Sequence, residues 1–391
     1  MVGHKAVQLF RVGILAISLS ACSASAGSVS SSTFAPDQPA PTHQIRSLTI
    51  VGTGDILTHN TLWTQAEADG GARGMDFSQE MAGVRQRVVA ADFAICHLET
   101  TLAPEGGPYG SYPVFATPPQ IVDAIKKTGY DACSTVSNHT LDQGIAGVQR
   151  TLDDLDAAGI GHAGTARSQA ESQQITMYTV KGTRVAHLAY AYGFNGYARP
   201  AGQKWCCNTI DPARIISDAR SAREQGAQIV LVSLHAGDEN VASPNAQQRQ
   251  VVAGLAQSGQ VDLVLGAHVH VVQPVQKVGQ MWVAYGMGNL ISGQYDSWKR
   301  NKEGVLVSFT FTERPDGRFT ITRAAGFPVL NTSAPVRVTD LVTSASAGTP
   351  GTREHEAYTT TRKTLLSLGA KQDGFVVEPV QGRSHPTGQH P

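Results

Sequence analysis

The sequence predicts an α/β protein, a layered β-sheet core flanked by helices. Three observations point there. Short apolar runs alternate with amphipathic stretches of helical period, cap and turn residues separate them, and several apolar runs end in a residue able to bind a metal. In α/β sheets ligand sites form beyond the carboxyl ends of the strands, so the third observation also says where a site would lie.

Taken in order, Ser47 to Val51 is an apolar-rich strand. Phe77 to Ala91 has helical spacing at Met81, Val84 and Val88 and leads into a strand over Phe93 to Leu98. Pro118-Pro119 opens a helix through Lys127, because proline suits the first turn, and Gly129 breaks it before a strand over Ala132 to Val136. Val148, Leu152 and Leu155 mark an amphipathic helix to Ala158, with Gly159 as its C-cap. Ile175 to Val180 and Arg184 to Ala191 read as a hairpin turned at Lys181-Gly182. Asp211 caps a helix through Gln225 with Pro212 at its first position. Ile229 to Leu234 is a buried strand, and Ser243-Pro244 starts a helix to Gln257. Leu263 to Leu265, Trp282 to Ala284 and Val305 to Thr312 are further strands, with Arg318 to Arg323 pairing with the last.

The 391 residues include 31 Lys plus Arg and 31 Asp plus Glu, for a formal net charge of zero. A nucleic-acid binder shows a basic face, so no nucleic-acid partner is expected. Residues 1–22 read as a lipoprotein signal peptide. His4, Lys5 and Arg11 precede the apolar run Val12 to Leu19, too short for a permanent span. Leu19-Ser20-Ala21-Cys22 resembles a bacterial lipobox, which implies cleavage before Cys22 and acyl chains on it. The expected location is therefore extracytoplasmic, with the membrane as partner through lipidated Cys22. Residues 23–45 form a flexible tether rich in Ser, Ala, Pro and Thr, 46–340 the main domain, 341–371 a C-terminal helical segment and 372–391 a disordered tail. Export would hold Cys96, Cys133, Cys206 and Cys207 in an oxidising space. Cys96 and Cys133 lie in neighbouring strands, as a disulfide or as buried thiols. Adjacent Cys206 and Cys207 admit a vicinal disulfide.

A metal site needs donors from separate segments, because one stretch of chain cannot surround an ion. The strand ends offer them. Asp55 and Glu99 are hard carboxylates, Asn138 is an amide oxygen, and His235, His268 and His270 are imidazoles. Oxygen and nitrogen donors without thiolate suit Mn, Fe, Zn or Mg. Singly, each has a plainer explanation: Asp55 as a turn cap, Glu99 as a loop carboxylate, Asn138 in a left-handed turn, His235 as a core histidine. Their recurrence at five strand ends favours the metal.

These segments resemble the CapA-type, poly-γ-glutamate capsule synthesis family, relatives of the calcineurin-like metallophosphatases, over about Leu48 to Ser292. Gly54-Asp55-Ile56-Leu57, Leu98-Glu99-Thr100, Ser137-Asn138-His139-Thr140-Leu141-Asp142-Gln143-Gly144, His235-Ala236-Gly237-Asp238-Glu239, Gly266 to His270 with Gln273-Pro274, and Gly288-Asn289-Leu290 carry the resemblance. His97 replaces an Asn, Ala236 an aromatic, and Ala267 and Val269 a His and a Pro. Leu57 stands where the metallophosphatases carry a first-strand His, so one metal position is weaker or uses His59.

The resemblance implies a calcineurin-like metallophosphatase architecture and two divalent ions held by Asp55, Glu99, Asn138, His235, His268 and His270. Glu99 would be shared between them, His268 would join Asn138 and His235, and His270 would join Asp55. The ions would supply hydroxide at neutral pH. His139 would be the general acid and Asp142 would orient it, although Asp142 also stands where it would cap the next helix. The implied activity is metal-dependent hydrolysis of a phosphoester or related anionic substrate, in the synthesis, export or processing of a surface polymer. The alternative is a non-hydrolytic accessory protein that binds poly-γ-glutamate or another surface polymer. Other capsule-synthesis membrane proteins are further expected partners.

Overall fold

The computed structural model describes residues 44–381; the expected leader, most of the tether and residues 382–391 lie outside the described residues. Among the described residues the strands are β1 (Ser47–Leu57), β2 (Phe93–Leu98), β3 (Ala132–Ser134), β4 (Gly161–Ala163), β5 (Met177–Val180), β6 (Thr183–Ala191), β7 (Ile229–His235), β8 (Leu263–Ala267), β9 (Val275–Val278), β10 (Met281–Ala284), β11 (Asn289–Ser292), β12 (Glu303–Glu313), β13 (Phe319–Ser333), β14 (Val336–Asp340) and β15 (Phe375–Val377). One sheet has the order β14-β13-β12-β1-β2-β3-β4, with β11 also beside β1 and β15 beside β13. The other has the order β5-β6-β7-β8-β10-β9. The β1 to β4 and β6 to β8 runs are parallel, so their carboxyl ends lie at one edge of each sheet.

Alternation along each strand decides which face it buries. Leu48 and Ile50 of β1 join Ile95, Leu231, Leu263, Leu265 and Trp282 in a core between the two sheets. Val51, Ala94 and Cys96 turn the other way, against the helices Asn60–Gly70 and Ile121–Thr128. Val230, Val232 and Val264 face the helices Pro212–Glu224 and Ala246–Ser258. The layers run helix, sheet, sheet, helix, which is the expected α/β architecture. Local chemistry marks the helix starts. Asp211 accepts the Ala213 and Arg214 N–H groups with Pro212 at the first position, and Asn245 forms a capping box with Gln248. The β5–β6 hairpin turns at Lys181 and Gly182, both at positive φ (47° and 73°), the conformation that suits a two-residue hairpin loop.

Several expected elements change. The helix over Phe77 to Ala91 is three short turns, Ser78–Met81, Ala82–Val84 and Arg85–Val89. A Cβ on Gly83 would stand 2.0 Å from the Val338 carbonyl oxygen of β14, so this segment lies against that strand only with a glycine at 83. The first strand runs on to Leu57 through Gly52-Thr53-Gly54-Asp55, where pairing with β2 and β11 replaces apolar patterning. The tail expected from Gln372 is ordered at its start: Phe375 is buried, and β15 pairs in parallel with β13. Within the expected C-terminal helical segment the helix is Arg353–Leu365, capped by Thr352. Cys96 and Cys133, opposite one another on β2 and β3, form a disulfide, whereas Cys206 and Cys207 are buried free thiols. Among the described residues no helix is long and apolar enough to cross a membrane.

Candidate metal centre

The six candidate donors come together where the strands of both sheets end. Asp55 lies on β1, Glu99 follows β2 and Asn138 follows β3; His235 ends β7, and His268 and His270 follow β8. None is more than 4% exposed. Gly54 brings β1 into place. A Cβ there would stand 1.8 Å from the Gly288 carbonyl oxygen; without one, the Asp55 N–H donates to that oxygen at 2.9 Å. β1 and β11 then pair in parallel with Asp55 opposite Asn289. Past β8 the chain turns through His268 at φ 96° and His270 at φ 57°, conformations that residues with a Cβ adopt only when their surroundings impose them.

The donors fall into two groups. Glu99, His235 and His268 offer atoms within 4.8 Å of one another, and His235 Nε2 lies 2.9 Å from Asn138 Oδ1. In the second group His270 Nδ1 lies 3.0 Å from both Asp55 Oδ2 and Asn289 Oδ1, while its Nε2 is 3.7 Å from Glu99 Oε1. His97 also comes within 4.8 Å of Asp55 and Glu99. Its nitrogens are already engaged, Nδ1 with Ser134 Oγ at 2.7 Å and Nε2 with His235 Nδ1 at 2.9 Å. His97 therefore orients His235, leaving His235 Nε2 for the site.

Both Glu99 oxygens and His268 Nδ1 are buried without a hydrogen-bond partner. Burial pushes the Glu99 carboxyl well above its ordinary range, against the attraction of His270 and with repulsion from Asp55 adding to the rise. Burial opposes a charge on His270 too, yet Glu99 and Asp55 push its pKa up to about 10. Asp55 goes the other way: burial would raise it, but the His270 hydrogen bond and charge hold it below its usual value. Burial, with neighbouring imidazoles, drives His235 far down and His268 to about 3. Neutral imidazoles are the form that binds metal. A buried carboxylate without a partner is costly unless a cation answers it, so the donor set fits divalent ions.

His139 and Asp142 stand beside this cluster as a pair. His139 Nδ1 is 2.7 Å from Asp142 Oδ2, which also accepts the Phe115 N–H at 2.7 Å. The following helix begins at Gly144 with Gln143 at its cap position, so Asp142 orients the imidazole and does not cap. His59, the expected substitute donor, belongs to neither group. Its Nδ1 accepts the Gly293 N–H at 3.1 Å, and its ring packs edge-on against Phe115. Sequence reasoning missed His97, Asn289 and Tyr192 as site residues. Tyr192 is 40% exposed and lies 4.6 Å, ring to ring, from His268 and parallel to His235. It supplies a half-exposed aromatic beside these two imidazoles. An aromatic directly after a strand end was the available signal.

An α/β sandwich with a buried carboxylate, amide and imidazole cluster at its strand ends has the makings of a metal-centre protein. The chain belongs to the family described as bacterial capsule synthesis protein PGA_cap, which its residues 49–294 match. It is 25% identical over 208 residues to the PGA biosynthesis protein CapA of Bacillus subtilis (strain 168), covering 51% of this chain and 52% of that one. It is 26% identical over 193 residues to the capsule biosynthesis protein CapA of Bacillus anthracis, covering 49% and 46%. The chain thus spans about half the length of these relatives. Among solved structures, a calcineurin-like phosphoesterase of Bacillus subtilis, YfkN, is similar with a TM-score of 0.42 and 15% identity, over 83% of this chain and 99% of that one.

Proposed function

We propose that this chain is an extracytoplasmic, lipid-anchored hydrolase with two divalent ions, cleaving a phosphoester or related anionic substrate in the synthesis, export or processing of a capsule polymer such as poly-γ-glutamate. One observation carries the reading: the Glu99 carboxylate, buried with both oxygens unpartnered, between Asp55 and His270 on one side and Asn138, His235 and His268 on the other. Such ions would lower the pKa of water and offset negative charge that develops on the substrate. The chain's own residues would do the rest. His97 donates or accepts at His235 Nδ1 and so fixes which nitrogen faces the site. Asp142 accepts a hydrogen bond from His139 Nδ1–H and so steadies the imidazolium that would give its Nε2 proton to a leaving group. Tyr192 lines the rim beside His235 and His268, where a substrate must pass. Membership of a capsule synthesis family and the lipobox-like leader support a place at the cell surface, beside other capsule-synthesis membrane proteins.

The test is purified protein loaded with Mn and offered an aryl phosphate, a phosphodiester and a γ-glutamyl peptide. Cleavage of one class is expected, with His139→Ala lowering kcat at least 100-fold while keeping its metal. Metal binding without cleavage of any class would favour a non-hydrolytic accessory protein that binds the polymer.

A further inference from the structure

We infer that Asn289 is a metal ligand, its Oδ1 completing the Asp55 and His270 position where neither Leu57 nor His59 offers a donor. This rests on the two-ion reading above. Three observations carry it. First, β1 and β11 pair in parallel with Asp55 opposite Asn289, so the two side chains leave the sheet on the same face. Second, the amide is turned with its oxygen inward. Nδ2 donates to the Asn301 carbonyl at 2.8 Å and to Gln294 Oε1 at 2.9 Å. A backbone carbonyl only accepts, so the amino group must face it and Oδ1 must face His270. Third, the spacing is that of neighbouring donors on one ion. Donors about 2.1 Å from an ion and at right angles to each other stand about 3 Å apart, and His270 Nδ1 lies 3.0 Å from both Asp55 Oδ2 and Asn289 Oδ1. A single imidazole N–H cannot serve both oxygens fully, whereas a cation serves all three atoms. Asn138 uses the same device on the other side, its Nδ2 tied to Asn195 Oδ1 at 3.2 Å and its Oδ1 facing His235.

Calorimetric titration of the metal-stripped full chain with Mn, together with the visible spectrum of the Co-loaded protein, tests this. Wild type should take two ions. Asn289→Ala should keep one at wild-type affinity and bind the second at least 30-fold more weakly, with a changed Co spectrum. Asn289→Asp, which keeps an oxygen and adds charge, should bind both at least as tightly as wild type. Gln294→Ala loosens the amide anchor but leaves the ligand oxygen, and should keep both ions; it separates ligation from damage to the loop, as do melting curves of the stripped variants. Two ions at wild-type affinity in Asn289→Ala would overturn the assignment and leave the two-ion reading standing. So would equal weakening in the Ala and Asp variants with an unchanged Co spectrum. One ion or none in wild type would overturn both.

Discussion

Single residues carry charge into places where water cannot follow, and the consequences differ with what answers them. Glu99 is surrounded by candidate metal donors, His235, His268 and His270 among them. Glu80 is not. Both its oxygens are buried and unpartnered, close to Asp69 and Asp76, while the nearby Arg337 is paired with Asp69 at 2.8 Å. Burial, with Asp69 adding to it, raises its pKa to about 9 from 4.5. The folded chain therefore holds a proton there that the unfolded chain releases. The stability Glu80 contributes is complete below about pH 4.5 and is lost as pH rises through about 9. Glu80→Gln, which keeps the shape without the titration, should change urea stability little at pH 5 and raise it by about 4–5 kcal/mol at pH 8. An equal change at both pH values would show that the carboxyl is not held neutral.

At the scale of elements, the site depends on strand ends being held in register. The Cys96–Cys133 disulfide ties β2 to β3, and those strands lead directly to Glu99 and Asn138. Closing a loop with a sequence separation of 37 is worth about 3–4 kcal/mol by chain entropy. Cys96→Ala/Cys133→Ala should lose about that much in chemical denaturation; a loss under about 1 kcal/mol would contradict a structural role. Elements with a continuous apolar run, such as β2, β7, β8 and β12, were legible in the sequence, as was the helix opened by Asp211-Pro212. The second half of β1 was not, because Gly-Thr-Gly-Asp has no apolar period and is a strand only through its partners. β11, β14 and β15 are short, and they too are defined by long-range pairing and not by local pattern.

The same distinction holds across the whole molecule. Asp55, Glu99, Asn138, His235, His268 and His270 were legible as candidate donors because each belongs to a recognisable strand end or motif segment. His97 and Asn289 were not, since their contributions are made by contacts with His235 and His270, far away in sequence. Tyr192 could be suspected as an aromatic directly after β6, but its place beside His235 follows from the pairing of β6 with β7. Folding thus gathers two sheets around one buried carboxylate, and the most direct measurement of what that carboxylate does is the metal content of Mn-loaded protein, read together with its electron paramagnetic resonance. Two Mn per chain with a spin-coupled signal are expected in wild type, with coupling lost in Glu99→Gln. One ion or none per chain, or two uncoupled ions unaffected by Glu99→Gln, would contradict a centre joined by Glu99.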